Sequence, residues 1–336
     1  MTNTQIKLAE RPLGQPTKAS WLTTTETLPA LEKGDVLVQV IYISLDPAMR
    51  GWMNAAKSYI RPVEIGEVMR AGGAGKVVAS ENPKFKVGDY VTGSFGVQQY
   101  FSSPEGKGLT KVDTTVAPLK TWLGALGMTG MTAYFGLLDV GKPKAGDVVV
   151  VSGGAGAVGS LVGQIAKQKG CFVVGIAGGS DKTAYMKNVL GFDEVIDYRL
   201  GSVRSALRRS CPDGIDVYFD NVGGEILDIC LSMLRLHARV VICGAISIYN
   251  SKENAPGPKN YLSLLVNRAR MEGFVVFDYA KRYAEGVKDI SQWIHESKIK
   301  TQDHIVKGTV EDFQDTLMVL FEGDKIGKLS LQIAEE

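Results

Sequence analysis

Three glycines at a fixed spacing carry the first chemical signal. Gly154, Gly156 and Gly159 stand in a G-x-G-x-x-G arrangement within Ser152-Gly-Gly-Ala-Gly-Ala-Val-Gly159. In this spacing Gly154 is expected to let the chain turn sharply. Gly156 lets the backbone approach a pyrophosphate, and Gly159 lets a helix pack closely on a strand. Amides at a helix start then face the anion. The spacing alone is weak, and its context decides. Val148 to Val151 precede it as an unbroken β-branched run, the pattern of a strand buried on both faces. Leu161, Val162, Ile165 and Ala166 follow at helical spacing, and Gly170 is placed to end the helix. Strand, glycine turn and helix together open a dinucleotide-binding unit. The competing reading is a glycine-rich turn of some other α/β protein.

The next strand discriminates between the two nicotinamide dinucleotides. An NAD site usually ends it with Asp or Glu, which accepts hydrogen bonds from the ribose hydroxyls. Here Val173-VGIA runs into Gly178-Gly179, and no carboxylate stands at the strand end. Asp181 and Lys182 come later. Glycines leave room for a 2′-phosphate and Lys182 supplies a cation, so the expected cofactor is NADP(H). A solvated lysine at a helix start is the alternative for Lys182.

Other chemistries find little material. The four cysteines, Cys171, Cys211, Cys230 and Cys243, form no C-x-x-C pair and all lie beyond residue 170. That argues against a disulfide framework or a cysteine-rich zinc site. The three histidines, His237, His295 and His304, read as structural or surface residues, so no metal site is expected. A net charge of +2 over 336 residues favours neither nucleic acid nor an anionic membrane. No apolar run is long enough to span a bilayer. Met1-TNTQIKLAERP lacks a signal-peptide core, which makes the cytoplasm the expected location.

A chain of this length suggests about two domains to position these residues. Up to about residue 120 the segments are short, glycine-punctuated and partly alternating, as in Val36-LVQVIYISL and Asp89-YVTGSFGVQQYF. A small, partly open barrel is expected there. From Lys120 to Leu138 the pattern turns helical, and Met128, Thr129 and Thr132 either line a cavity or pack the helix. Beyond it, strands are expected at Val148–Val151, Phe172–Ala177, Glu194–Ile196, Ile215–Asp220, Arg239–Cys243 and Gly273–Phe277. Helices at Lys182–Leu190, Glu225–Leu236 and Ala280–Ser297 alternate with or follow them. Such alternation means parallel βαβ units and a doubly wound sheet. In the tail, Val310–Phe321 is helical and Leu329-SLQIA alternates as a strand that would rejoin the first domain.

Four motifs in order are more specific. Gly127-MTGMTAYFGLLDVG, Val151-SGGAGAVGSLVGQIAKQKGC, Tyr218-FDNVGG and Val241-ICGAISIYN resemble the zinc-independent medium-chain dehydrogenase/reductases. Within them, the chain is most similar to the leukotriene/prostaglandin, plant alkenal and bacterial curcumin reductases. The resemblance runs from Leu45-DPAMRG to Gly323-DKIGK. It implies a GroES-like β-barrel domain over 1–121, completed by 300–336, and a Rossmann NADP-binding domain over 122–299. It implies hydride transfer from NADPH to the β-carbon of an α,β-unsaturated ketone or aldehyde, with the enolate protonated at the α-carbon. It also implies a homodimer. The chain lacks the N-terminal cysteine and histidine of zinc-dependent relatives, so hydrogen-bond donors must stabilise the oxyanion.

Site residues carry over by motif. Tyr249, beyond the strand ending at Cys243, is implied near the nicotinamide ribose and the substrate oxygen, as a proton donor or relay. Packing on the cofactor alone is the blander role. Tyr59, in Lys57-Ser-Tyr-Ile-Arg-Pro62, matches a pocket tyrosine of curcumin-type reductases, or is a surface residue of a loop. The cofactor contacts implied are Pro47, Ala155, Gly156, Ala157, Val158, Gly159, Gly179, Lys182, Tyr198, Asn221, Cys243, Gly244, Ala245, Ile246, Ser247, Phe274, Val275 and Val276. Cys243 is read as packing, not as a nucleophile. The chain departs from the pattern at Ala48, often tyrosine in plant members, and at Lys325, which holds a usual asparagine position. Two other functions stay open: an NADPH quinone oxidoreductase on the same fold, and a non-catalytic NADPH-binding protein.

Overall fold

The computed structural model describes every residue except Asn254 and Asp324. The chain forms two compact units, one of residues 1–123 with 303–336 and the other of residues 124–302. The first begins with a hairpin-like pair, β1 (Thr2–Leu8) and β2 (Trp21–Thr27). Then comes β3 (Val36–Ser44), whose residues are nearly all buried, as its unbroken apolar run requires. A short helix, α1 (Ala48–Trp52), follows. Strands β4 (Gly73–Ser80), β5 (Tyr90–Gly93), β6 (Tyr100–Ser103) and β7 (Thr110–Lys111) complete its N-terminal part.

After a 3₁₀ turn over Leu119–Trp122, the second unit opens with helix α2 (Met128–Phe135), continued by a π turn over residues 136–141. The run from Lys120 is therefore several short helical pieces and not one helix. Strands β8 (Val148–Ser152), β9 (Phe172–Ala177), β10 (Glu194–Asp197), β11 (Ile215–Asp220), β12 (Leu234–Ile242) and β13 (Arg270–Gly273) form one parallel sheet, in the order β10-β9-β8-β11-β12-β13. Helices α3 (Gly159–Gln168), α4 (Ser180–Asn188), α5 (Val203–Ser210) and α6 (Gly224–Leu231) make its crossovers, and α7 (Ser263–Val266) precedes β13. This is the expected doubly wound α/β unit. Helix α8 (Tyr283–His295) ends it.

Two boundaries differ from expectation. The helix expected over Glu225–Leu236 stops at Leu231, because Leu234 pairs with Ile215 in the sheet and strand pairing overrides the helical spacing of the leucines. The last strand ends at Gly273 rather than spanning Gly273–Phe277. Phe274 turns off the strand to pack on the Phe219 ring, 6.4 Å between centroids, and a Cβ on Gly136 would stand 2.4 Å from it.

The chain then returns to the first unit. Strand β14 (Asp303–Lys307), helix α9 (Phe313–Glu322) and β15 (Lys328–Gln332) close it. One edge of β3 is shared end to end. Residues 36–39 pair with β6, and residues 42–44 pair with β15. The tail is thus part of the N-terminal sheet, whose core joins Val38, Ile43, Met49 and Phe95 to Phe313, Leu317, Leu329 and Leu331.

Candidate active site

In the second unit, the candidate residues collect where the parallel strands end, the position that topology favours for ligands. After β8 the backbone turns at Gly153, which takes φ +62°. The sharp turn assigned to Gly154 therefore belongs to its neighbour. Gly154 is needed for clearance: a Cβ there would lie 2.6 Å from Met186 Sδ. A Cβ on Gly159 would stand 2.3 Å from the Gly153 carbonyl oxygen, so only glycine lets α3 start this close to the turn. Ser160 N–H returns to the Gly156 carbonyl at 3.0 Å, and Val162 N–H to that of Val158 at 3.0 Å. The helix begins directly behind Ala155, Ala157 and Val158, with its positive end toward the turn.

Beyond β9, Gly178 lies against the Tyr198 ring: a Cβ there would be 2.6 Å from Tyr198 Cζ. Gly179 caps α4 with φ +99°. Lys182 is half-buried in the first turn of that helix. Arg199 is a second cation, with one guanidinium nitrogen 3.5 Å from the position of a Gly179 Cβ. Sequence reading missed it, although a basic residue directly after Tyr198 was the available signal.

Beyond β11, one carboxylate fixes two loops. Asp220 is buried, and its Oδ1 accepts from Ser152 Oγ (3.0 Å), Tyr218 Oη (2.7 Å) and the Val222 and Gly223 amides (3.0 and 2.9 Å). Asn221 donates its side-chain amide to the Ser152 carbonyl (2.8 Å) and its backbone N–H to Ser152 Oγ (2.9 Å). The segment after β12 docks on this turn. Cys243 and Gly244 amides donate to the Asp220 carbonyl, Ile246 to that of Asn221 and Ser247 to that of Val222. Ser247 Oγ adds a bond to the Val222 carbonyl at 2.6 Å. Ser152 and Asp220 position this site, and neither stood out in the sequence, because a buried serine or aspartate shows only through its partners.

Tyr249 closes that segment. Its hydroxyl oxygen accepts the Ala245 N–H at 3.1 Å. A Cβ on Gly244 would press on that hydroxyl at 3.0 Å, so the loop has room for the phenol only because residue 244 is glycine. A phenol oxygen that accepts in this way also carries an O–H donor. Cys243 is half-buried, and burial, with the Asp220 carboxylate adding to it, pushes its thiol up to about 12. It stays protonated at neutral pH, as packing and not nucleophilic chemistry demands. Val275 follows Phe274, and Val276 is buried at the start of a 3₁₀ turn, with its carbonyl accepting from Tyr283 Oη at 3.2 Å. Thr129 and Thr132 spend their hydroxyls on the Gly124 and Met128 carbonyls (2.9 and 2.7 Å), which favours the packing role for that helix.

In the first unit, Pro47 stands at the start of α1. It follows Asp46, which is buried with Lys328: Nζ lies 3.0 Å from Asp46 Oδ1, and also meets the Leu45 and Leu329 carbonyls at 2.8 and 3.1 Å. Ser44 Oγ donates to the other Asp46 oxygen at 2.5 Å. Lys328 is a positioning residue that the sequence did not reveal. Tyr59 is exposed, and its hydroxyl oxygen accepts from Trp52 Nε1 at 3.2 Å. Lys325 Nζ approaches the Gly327 carbonyl at 3.4 Å, a local bond.

Two family models match: "N-terminal domain of oxidoreductase" over residues 4–112 and "Zinc-binding dehydrogenase" over residues 157–292. The chain is 40% identical to the NADPH-dependent curcumin reductase of Escherichia coli, over 99% of this chain and 97% of that one. It is 40% identical to the NADP(+)-dependent 2-alkenal reductase of Nicotiana tabacum, over 90% and 88%. The structure of Vibrio vulnificus CurA in complex with NADPH superposes with a TM-score of 0.93 at 42% identity, over 99% of this chain and all of that one. The chain belongs to the zinc-independent medium-chain dehydrogenase/reductases.

The second model's name refers to zinc-binding relatives. Among the described residues of this family member, no group of three His, Cys, Asp or Glu could hold a metal ion. The site does fit a phosphorylated dinucleotide. The glycine turn keeps side chains away from the start of α3, and Gly178-Gly179 with Lys182 and Arg199 offers space and positive charge in place of an acidic strand end. No helix among the described residues is long and apolar enough to cross a membrane.

Proposed function

We propose that the protein is an NADPH-dependent reductase of the C=C bond of α,β-unsaturated ketones and aldehydes. Tyr249 carries this reading. Its phenol is braced by the Ala245 amide, in a loop held by the Asp220 turn, at the carboxyl end of β12. The relatives named for curcumin and 2-alkenals support the same reaction class.

The residues divide the work by chemistry. Ala155 to Gly159 and the start of α3 receive the pyrophosphate. Lys182, with Arg199, receives the 2′-phosphate, while Tyr198 lies along the adenosine. Asn221 meets the ribose on the nicotinamide side. Cys243 to Ser247 and Phe274 to Val276 line the nicotinamide half. Bound NADPH supplies the hydride taken up at the β-carbon. Negative charge then gathers on the substrate oxygen, where the Tyr249 hydroxyl donates a hydrogen bond or relays a proton. The protein acts as a homodimer joined at β13, an edge strand whose four residues are all exposed and which is preceded by exposed Leu262, Leu265 and Val266.

The test is oxidation of NADPH, with NADH in parallel, on an alkenal, an aryl enone and a quinone. Turnover of the two alkenes with NADPH is the expected outcome. Turnover of the quinone alone would replace this reading with a quinone oxidoreductase. NADPH binding without turnover of any acceptor would leave a binding protein.

A further inference from the structure

The carboxyl edge of the parallel sheet carries opposite charges on its two sides. Lys182 and Arg199 stand beyond β9 and β10. Asp220 stands at the end of β11, on the other side of β8 and its glycine turn, and is 1% exposed. Its Oδ1 takes four donors, from Ser152, Tyr218, Val222 and Gly223. Its Oδ2 is buried and has no hydrogen-bond partner among the described residues. An oxygen closed to solvent is equally closed to a hydrogen bond from a ligand. What Asp220 exerts beyond its own turn it exerts as a charge, through a medium that screens weakly.

No ion pair among the described residues takes in Asp220. The arginines of the neighbouring strands serve the opposite end of the sheet. Arg235 pairs with Asp216 at the start of β11 (2.7 Å), and Arg239 with Asp147 just before β8 (2.5 Å). Arg270, first in β13, donates to the Val140 carbonyl at 2.6 Å. The four donors and the start of α6 are neutral dipoles, which spread the charge without removing it. The charge reaches the segment after β12. Cys243 donates its N–H to the Asp220 carbonyl, and Asp220 adds to burial in pushing up the Cys243 thiol.

We infer that Asp220 is the electrostatic counterpart of the nicotinamide ring, and that it tilts the site toward NADP+ over NADPH. This rests on the reading that gives Asn221 and Cys243 to Ser247 to the nicotinamide side, and deepens it. Release of the hydride to the β-carbon, two electrons and a proton, leaves one positive charge on that ring. A fixed anion at the same end of the site stabilises the charged form and leaves the neutral form nearly untouched, which makes the bound couple a stronger hydride donor. The edge then matches the oxidised cofactor at both ends, with cations for the 2′-phosphate and an anion for the pyridinium.

The experiment is calorimetric titration of NADP+, NADPH and 2′,5′-ADP into wild type and Asp220→Asn, which keeps an acceptor for the four donors and removes the charge. Asp220→Asn should weaken NADP+ by about five-fold or more beyond any change in NADPH, and leave 2′,5′-ADP unchanged. Equal losses on NADP+ and NADPH, or a loss on 2′,5′-ADP as large as that on NADP+, would overturn the inference and leave Asp220 as a brace of its turn. If Asp220→Asn does not fold, Tyr218→Phe decides instead. It removes one donor and keeps the charge, so the preference for NADP+ should rise by about two-fold, and an unchanged or lower preference would overturn the inference. A shifted ratio with no enone turned over by wild type would sink the reductase reading and leave the role of Asp220 standing. Enone turnover with an unshifted ratio would do the reverse.

Discussion

Tyr249 is the most exposed claim at the scale of single residues. Tyr249→Phe removes the proton but keeps the ring, and enone turnover should fall by about a hundred-fold or more, mainly in kcat. Steady-state kinetics with an aryl enone checks this, and an unchanged kcat would reduce Tyr249 to a packing residue. The proposed 2′-phosphate site gives a sharper contrast. Lys182→Ala should weaken NADPH by about ten- to a hundred-fold and leave NADH nearly unaffected, because only NADPH carries the phosphate. Arg199→Ala should weaken NADPH less, since Arg199 is more exposed. KM values for the two cofactors decide it, and equal effects on both would remove the cations from that role. Lys182 was legible in the sequence because the missing acid at Gly178-Gly179 drew the eye to the next cation. Arg199 was not, because its closeness to Gly179 depends on where the chain returns after β10.

Individual elements place these residues through contacts that a linear reading does not contain. The glycine turn was visible as a pattern, yet the left-handed residue is Gly153 and not Gly154. Spacing identifies which positions lack a side chain, whereas the structure assigns each its reason. Gly163 and Gly175 complete that reason. A Cβ on either would strike the Phe192 ring, at 2.0 and 2.6 Å, so α3, which follows the turn, and the neighbouring strand β9 together make a slot for Phe192. The Lys328 and Asp46 pair does the corresponding work in the first unit, joining β15 to the end of β3 just before Pro47. Lys328→Met leaves Asp46 buried without its cation and should cost about 3–5 kcal/mol. Thermal melts should show that loss, with part of it restored by adding Asp46→Asn. Failure of the second change to help would mean that Lys328 acts through its carbonyl contacts. Strand alternation and the parallel sheet were readable because periodicity survives in sequence, while this ion pair joins residues from opposite ends of the chain.

For the molecule as a whole, the exposed edge at β13 makes assembly testable. Sedimentation velocity should give twice the 36.2 kDa chain mass, and Leu265→Glu should move the population to monomer. A monomeric wild type would end the dimer proposal. The paired edge of β3 has a different consequence, one that concerns time. On the ribosome, residues 36–39 gain β6 early, but residues 42–44 have no neighbour on that side until β15 emerges. At about 5–20 residues per second the wait is on the order of tens of seconds. Throughout it, the nascent chain carries an apolar strand with half an edge open, while the whole parallel sheet of the second unit is translated and free to fold. The segment most in need of shielding during synthesis is therefore Ile41–Ser44, near the beginning of the chain, and what finally shields it arrives near the end.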